Sequence, residues 1–186
     1  MITAADLLAL ARARADRPVV LVDGFSGAGK TTLADELRRA DPAVTVQSIE
    51  EFYLGWDGLA AGPRRAFEQL VAPLLRGEVP VVAVWDWRRD EIAPSRRRVV
   101  PGPLVLEGVG AAARPLRDVA ALSVWVDATP AEREARLHAR GDWADYAPHR
   151  AAFERQERDL EARQGTRAAV DVIVRRDGRE WVRCPV

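Results

Sequence analysis

The chain has 186 residues, enough to bury one substantial α/β core and too few for two. Its 28 basic residues equal its 28 acidic ones, so no overall field draws it to nucleic acid or to an anionic bilayer. Cys184 is the one cysteine, which excludes an internal disulfide, and no apolar run reaches the length of a membrane span.

Met1 to Arg17 carries Asp6 and Asp16 and lacks an uninterrupted apolar core, so it does not read as a secretory leader; the expected location is the cytoplasm. Within it, Ala4 to Ala15 has the composition and periodicity of an amphipathic helix. Pro18 to Asp23 is a β-branched apolar strand, and helical spacing follows from Thr32 to Leu37. Further strands are expected at Val44–Ile49, Val79–Val84, Leu104–Glu107, Leu122–Asp127 and Val170–Val174. Helices are expected over Arg64–Leu75 after Pro63, over Pro130–Arg140 after Thr129, and over Pro148–Arg163. Alternation of the two patterns predicts one α/β domain over residues 1–186. It should be a three-layer α/β/α fold with a mostly parallel sheet of about five strands and a small lid near residues 138–149. Right-handed crossovers in such a sheet gather the loops after the strand ends on one edge, where ligands bind.

The loop between the first strand and its helix carries the strongest signal. Gly24-Phe25-Ser26-Gly27-Ala28-Gly29-Lys30-Thr31 fits G-x-x-x-x-G-K-[ST] at every fixed position, the pattern of the P-loop NTPase fold. Glycines let successive N–H groups turn inward into an anion-sized concavity, to which the following helix adds its positive end. Lys30 is the only lysine in the chain, so a compact ammonium is kept where arginine serves everywhere else. The expected nucleotide-binding set is Gly24, Ser26, Gly27, Ala28, Gly29, Lys30, Thr31 and Thr32. Lys30 should reach the outer phosphates of ATP and the Thr31 hydroxyl should ligate Mg2+.

Acids stand at two further strand ends. Glu50-Glu51 follows the second strand, where a carboxylate could take a proton from a substrate hydroxyl. Glu107 ends the strand at Leu104 and could hold magnesium directly or through water. Asp86 lies between Trp85 and Trp87. Arg133, Arg136 and Arg140 share a helical face at spacings of three and four, just before the expected lid. His138 and His149 are too few and too scattered for a zinc site.

These segments resemble, in order and over most of the chain, the uridine kinase branch of the P-loop kinases, which also includes phosphoribulokinase and bacterial pantothenate kinase. Glu50-Glu51-Phe52-Tyr53 stands where that family has Asp-Ser-Phe-Tyr. Ala83-Val84-Trp85-Asp86-Trp87 matches its Pro-Val-Tyr-Asp-Phe, Glu107-Gly108 its Glu-Gly, and Val170-Asp171-Val172-Ile173 its Ala-Asp-Val-Ile. The resemblance implies an ATP- and magnesium-dependent kinase acting on a small-molecule hydroxyl, a nucleoside such as uridine first. It places Glu50 as the base, one methylene longer than the family's aspartate, and Trp85 in place of a tyrosine near the base ring. It further implies acceptor contacts from Tyr53, Trp56, Asp57, Asp86 and Arg133, and closure of Arg136 and Arg140 over the transferred phosphoryl group. Two other readings stand beside it: a nucleoside monophosphate kinase, with Arg64 and Arg65 for an anionic acceptor, and a regulatory NTPase that hydrolyses ATP without an acceptor. No nucleic-acid or membrane partner is expected, and self-association as a homo-oligomer stays open.

Overall fold

Five parallel strands and one antiparallel edge strand make the central sheet of the computed structural model, which describes residues 1–185. In chain order the strands are β1 Val19–Asp23, β2 Thr45–Ser48, β3 Val81–Val82, β4 Trp85–Asp86, β5 Glu91–Ile92, β6 Arg97–Arg98, β7 Leu104–Glu107, β8 Leu122–Asp127, β9 Val172–Asp177 and β10 Glu180–Cys184. The sheet order is β10-β9-β8-β1-β7-β2. All residues of β1 and β7 are buried, as expected of apolar strands covered on both faces. Alternate side chains feed two cores. Leu21, Leu106, Trp125 and Ile173 point into one with Phe52, Leu70 and Phe153, while Val20, Val22, Val105 and Val124 join Leu7, Leu33 and Leu37 in the other.

The helices are α1 Ala4–Arg12, α2 Lys30–Ala40, α3 Gly62–Ala66, α4 Ala72–Leu75, α5 Pro130–His138, α6 Trp143–Tyr146, α7 Arg150–Gln164 and α8 Thr166–Ala169. Local chemistry sets their ends. Thr3 and Thr129 begin α1 and α5 with reciprocal capping boxes to Asp6 and Glu132, and Gly165 closes α7 in a left-handed conformation. The expected helix over Arg64–Leu75 forms, with a π-helical stretch at Phe67–Val71 between α3 and α4. Pro73 there has no N–H to return to the preceding turn. No helix among the described residues is long and apolar enough to cross a membrane.

One expectation is corrected. Val79–Val84 is not a strand of the main sheet: only Val81–Val82 pairs, antiparallel, with β6. Val79 and Val81 are 40% and 43% exposed, and Pro80 has no N–H for a ladder. The mostly parallel sheet expected with about five strands forms with five parallel strands, and β10 adds an antiparallel edge to β9. Its signal was the two-residue turn Gly178-Arg179, with Gly178 at φ 57°.

Candidate active site

The C-terminal ends of β1, β7 and β2 lie side by side, in register at Val22↔Glu107 and Ser48↔Glu107, so the phosphate loop, Glu107 and the Glu50 turn share one edge of the sheet. The loop is shaped from behind. Gly24 has φ 145°, and a Cβ there would stand 2.4 Å from the Val126 carbonyl oxygen. Gly27 has φ 77°, and its Cβ would meet the Arg133 carbonyl oxygen at 2.6 Å. Both positions therefore demand glycine for backbone angle and for space. Arg136 donates from Nη1 to the Gly27 and Ala28 carbonyls at 3.2 and 2.8 Å, and Arg133 donates to the Ser26 carbonyl at 3.4 Å while its guanidinium lies over the Phe25 ring.

Asp23, at the end of β1, is 2% exposed. Its carboxylate accepts from the N–H groups of Gly24, Gly110 and Ala112 at 2.7, 2.9 and 2.8 Å. It thereby clamps the start of the phosphate loop to the turn that follows β7. Burial raises its pKa to about 6, against the lowering effect of those donors and of Lys30. Lys30 is buried too, and Nζ donates to the Phe25 carbonyl at 3.0 Å.

Thr31 Oγ1 is 3.4 and 3.3 Å from the two carboxylate oxygens of Glu107. Burial, with the nearby Glu50 charge, pushes the Glu107 carboxyl upward, and Lys30 and the Thr31 hydroxyl pull it down. Hydroxyl and carboxylate oxygens suit a hard cation such as magnesium. No group of three or more acidic, His or Cys side chains among the described residues could hold a metal, so a magnesium ion here would complete its shell with nucleotide oxygens and water.

Glu50 and Glu51 sit on one short 3₁₀ turn, Ile49–Phe52, capped by Ser48, whose hydroxyl accepts from the Glu50 N–H at 3.3 Å. Their environments differ. Glu51 is held by Arg97, whose Nη1 is 3.2 Å from Oε1, and by Gln47, and Arg97 also donates to Gln47 Oε1 at 2.6 Å. Glu50 instead faces a cavity of about 740 Å³ that also reaches Ser26 of the phosphate loop. The far wall is aromatic: Trp56 stacks on His149 at 4.2 Å between ring centroids, with Trp87 at 5.0 Å and Tyr146 at 6.0 Å. Arg140 lines the same cavity, held by Asp142 at 2.9 and 2.6 Å. The Tyr146 hydroxyl is buried in that wall without a hydrogen-bond partner.

Solved structures share this architecture. A possible uridine kinase from Bacillus stearothermophilus superposes with a TM-score of 0.64 at 19% identity, over 86% of this chain and 89% of that one. The chain has the fold of the uridine kinase-like P-loop kinases. A proposed fructose transport system kinase from Silicibacter shows the same P-loop kinase fold, with a TM-score of 0.61 at 25% identity over 91% of this chain and 96% of that one. No family model and no curated protein matches the chain at a significant level.

Within this P-loop kinase fold, Gly24, Ser26, Gly27, Ala28, Gly29, Lys30 and Thr31 converge as one loop with Glu107, and Thr32 continues into α2. Glu50, Tyr53, Trp56 and Arg140 line the cavity. Other candidates are placed elsewhere. Trp85 packs beside the Gly55 turn, and Asp86 accepts from the N–H groups of Arg88 and Arg89 at 3.0 and 3.2 Å as the anchor of the β4–β5 hairpin. The hairpin delivers Trp87 and Arg88 to the cavity in their stead. Asp57 is exposed outside the cavity wall, and Arg133 and Arg136 brace the phosphate loop's carbonyls from outside. Tyr53 is fully buried, and its hydroxyl donates to the Val109 carbonyl at 2.5 Å. Asp23, Tyr146, His149 and Glu157 carried no site signal in the sequence; apart from Asp23, they lie on or beside helices far along the chain, and the fold brings Glu157 to the phosphate loop and Tyr146 and His149 to the cavity wall.

Proposed function

We propose that the protein transfers the γ-phosphoryl group of ATP to a hydroxyl of a small molecule, with a nucleoside as the first candidate. The observation that carries this reading is one cavity that reaches from Ser26 of the phosphate loop to Glu50 and an aromatic wall. Glu50 stands between the loop end and the aromatic wall, and Asp142 and Asp145 also line the cavity.

In the reaction, the acceptor oxygen forms its bond to the γ-phosphorus as the bond to the ADP oxygen breaks, and Glu50 takes the hydroxyl proton. Lys30 and the loop amides hold the phosphates, and Arg140 at the lid offsets charge on the moving group. Arg136 acts one step back, by fixing the loop's carbonyls. Thr31 and Glu107 would hold magnesium, which neutralises phosphate charge when bound. Trp56, Trp87 and Tyr146 offer ring faces for a planar or sugar-bearing acceptor.

The two arginines expected to serve a nucleotide acceptor are engaged elsewhere, while Arg88 of the β4–β5 hairpin lines the cavity. Arg64 pairs with Glu68 at 2.8 Å and Arg65 donates to the Phe52 carbonyl at 3.0 Å, and neither lines the cavity. The test is ADP release from ATP, measured alone and with nucleosides, nucleoside monophosphates, sugars and vitamins. Stimulation by nucleosides supports the reading, stimulation by monophosphates replaces the acceptor, and acceptor-independent release of ADP overturns it in favour of an NTPase.

A further inference from the structure

Helix α7 reaches two loops with two successive side chains. Gln156 Nε2 donates to the Trp56 carbonyl on the cavity wall at 2.9 Å. Glu157, only 2% exposed, accepts from the Ser26 N–H at 2.9 Å and from the Ser26 hydroxyl through the same oxygen. A buried carboxylate is costly unless hydrogen-bonded donors compensate it. Here burial raises the Glu157 pKa, and the Ser26 hydroxyl, Lys30 and the Ser26 N–H oppose that rise.

Ser26 occupies a variable position of the loop pattern, and both of its donors are taken by a carboxylate of α7. The loop's outer side is held at three successive residues. Glu157 takes the donors of Ser26, Arg133 reaches the Ser26 carbonyl, and Arg136 takes the carbonyls of Gly27 and Ala28. With those groups fixed outward, the amides of the residues that follow are left to face the concavity. A carboxylate could not serve on the inner side, where it would repel phosphate, so its place behind the loop suits it to shaping the backbone.

We infer that Glu157 is a positioning residue that holds the phosphate loop in its anion-binding curvature through Ser26. The inference rests on the kinase reading only in so far as the loop binds a nucleotide. It names a residue on the far side of the lid as part of the nucleotide site.

The experiment measures the Kd of ADP and of a non-hydrolysable ATP analogue well below Tm. Glu157→Ala should weaken both about tenfold or more, since a buried N–H and O–H lose their acceptor together. Glu157→Gln, whose amide oxygen can accept the same two donors, should return Kd to within about threefold of wild type. Ser26→Ala and Glu157→Ala should be strongly non-additive in a double-mutant cycle. Leu160→Ala, in the same helix and also buried, is the control for helix destabilisation. An unchanged Kd in folded Glu157→Ala, or equal weakening in a Leu160→Ala variant of matched Tm, would overturn the inference. Should Glu157→Ala fail to fold, Glu157→Met, of similar length but with no acceptor for the two Ser26 donors, takes its place, and an unchanged Kd in that variant would do the same. Wild-type protein that binds neither nucleotide would instead sink the kinase reading, and this inference with it.

Discussion

The Thr31 hydroxyl lies 3.3 Å from the nearer carboxylate oxygen of Glu107, although one stands in the first turn of α2 and the other at the end of β7, 76 positions apart. If the pair holds magnesium, Glu107→Gln should raise the magnesium concentration needed for half-maximal turnover by about tenfold or more while leaving the fold in place, since removal of an anionic oxygen ligand weakens a hard-cation site. Turnover measured against magnesium at saturating ATP checks this, and an unchanged midpoint would remove Glu107 from the metal site.

Glu50 and Glu51 are adjacent in sequence and should behave oppositely. Glu50→Gln should lower turnover by about 10²-fold, the range for loss of a general base. Glu51→Gln, in the Arg97–Gln47 network outside the cavity, should change turnover by less than about threefold and show itself in stability instead. Equal losses in the two variants would reject Glu50 as the base.

Lys30→Ala should reduce phosphoryl transfer by about 10³-fold or more, because no other side chain of the loop carries positive charge. Circular dichroism should remain that of the wild type. Retained turnover in the folded variant would refute the assignment of the loop.

Tyr53→Phe should cost about 1–3 kcal/mol of stability, since the buried Val109 carbonyl loses its donor. The acceptor KM should stay within about threefold of wild type, because the hydroxyl already has a partner within the protein. A large rise in KM with stability unchanged would restore the hydroxyl to the acceptor site.

Asp23 gives the stability a pH dependence of defined sign. Its folded pKa of about 6 exceeds the ordinary 3.8, so the folded chain holds this proton more tightly than the unfolded chain. The group's contribution is full below about pH 4 and is lost as pH rises through about 6, and two pK units correspond to about 3 kcal/mol. Urea unfolding of wild type and Asp23→Asn between pH 4.5 and 7.5 should therefore show the wild type losing ground to the variant as pH rises. Glu107 and Glu157 are also pushed upward by burial, but they cancel in this difference. A constant gap would show that Asp23 does not titrate in this range.

Much of this arrangement was legible where backbone constraints are written into residue types. The glycines of the phosphate loop and the lone lysine located it, and the apolar runs of β1, β7, β8 and β9 located the parallel strands. Val79–Val84 misled because a short run of valines has the same composition on a buried strand and on a surface ribbon. Asp86 misled because an acid between two tryptophans has no periodicity to say which of the three faces the cavity. Glu157 was invisible for a different reason: on α7 it looks like one of many helix-face charges, and only the packing of α7 against the loop singles it out.

Trp87 and Arg88 enter the cavity beside Glu50 from the β4–β5 hairpin, which lies outside the six-stranded sheet. Replacement of that ribbon changes the cavity's lining without touching β1, α2 and β7, which carry Asp23, Lys30 and Glu107. On the proposed kinase function, the ribbon is an exchangeable module through which acceptor choice could be re-engineered beside an unaltered phosphate loop.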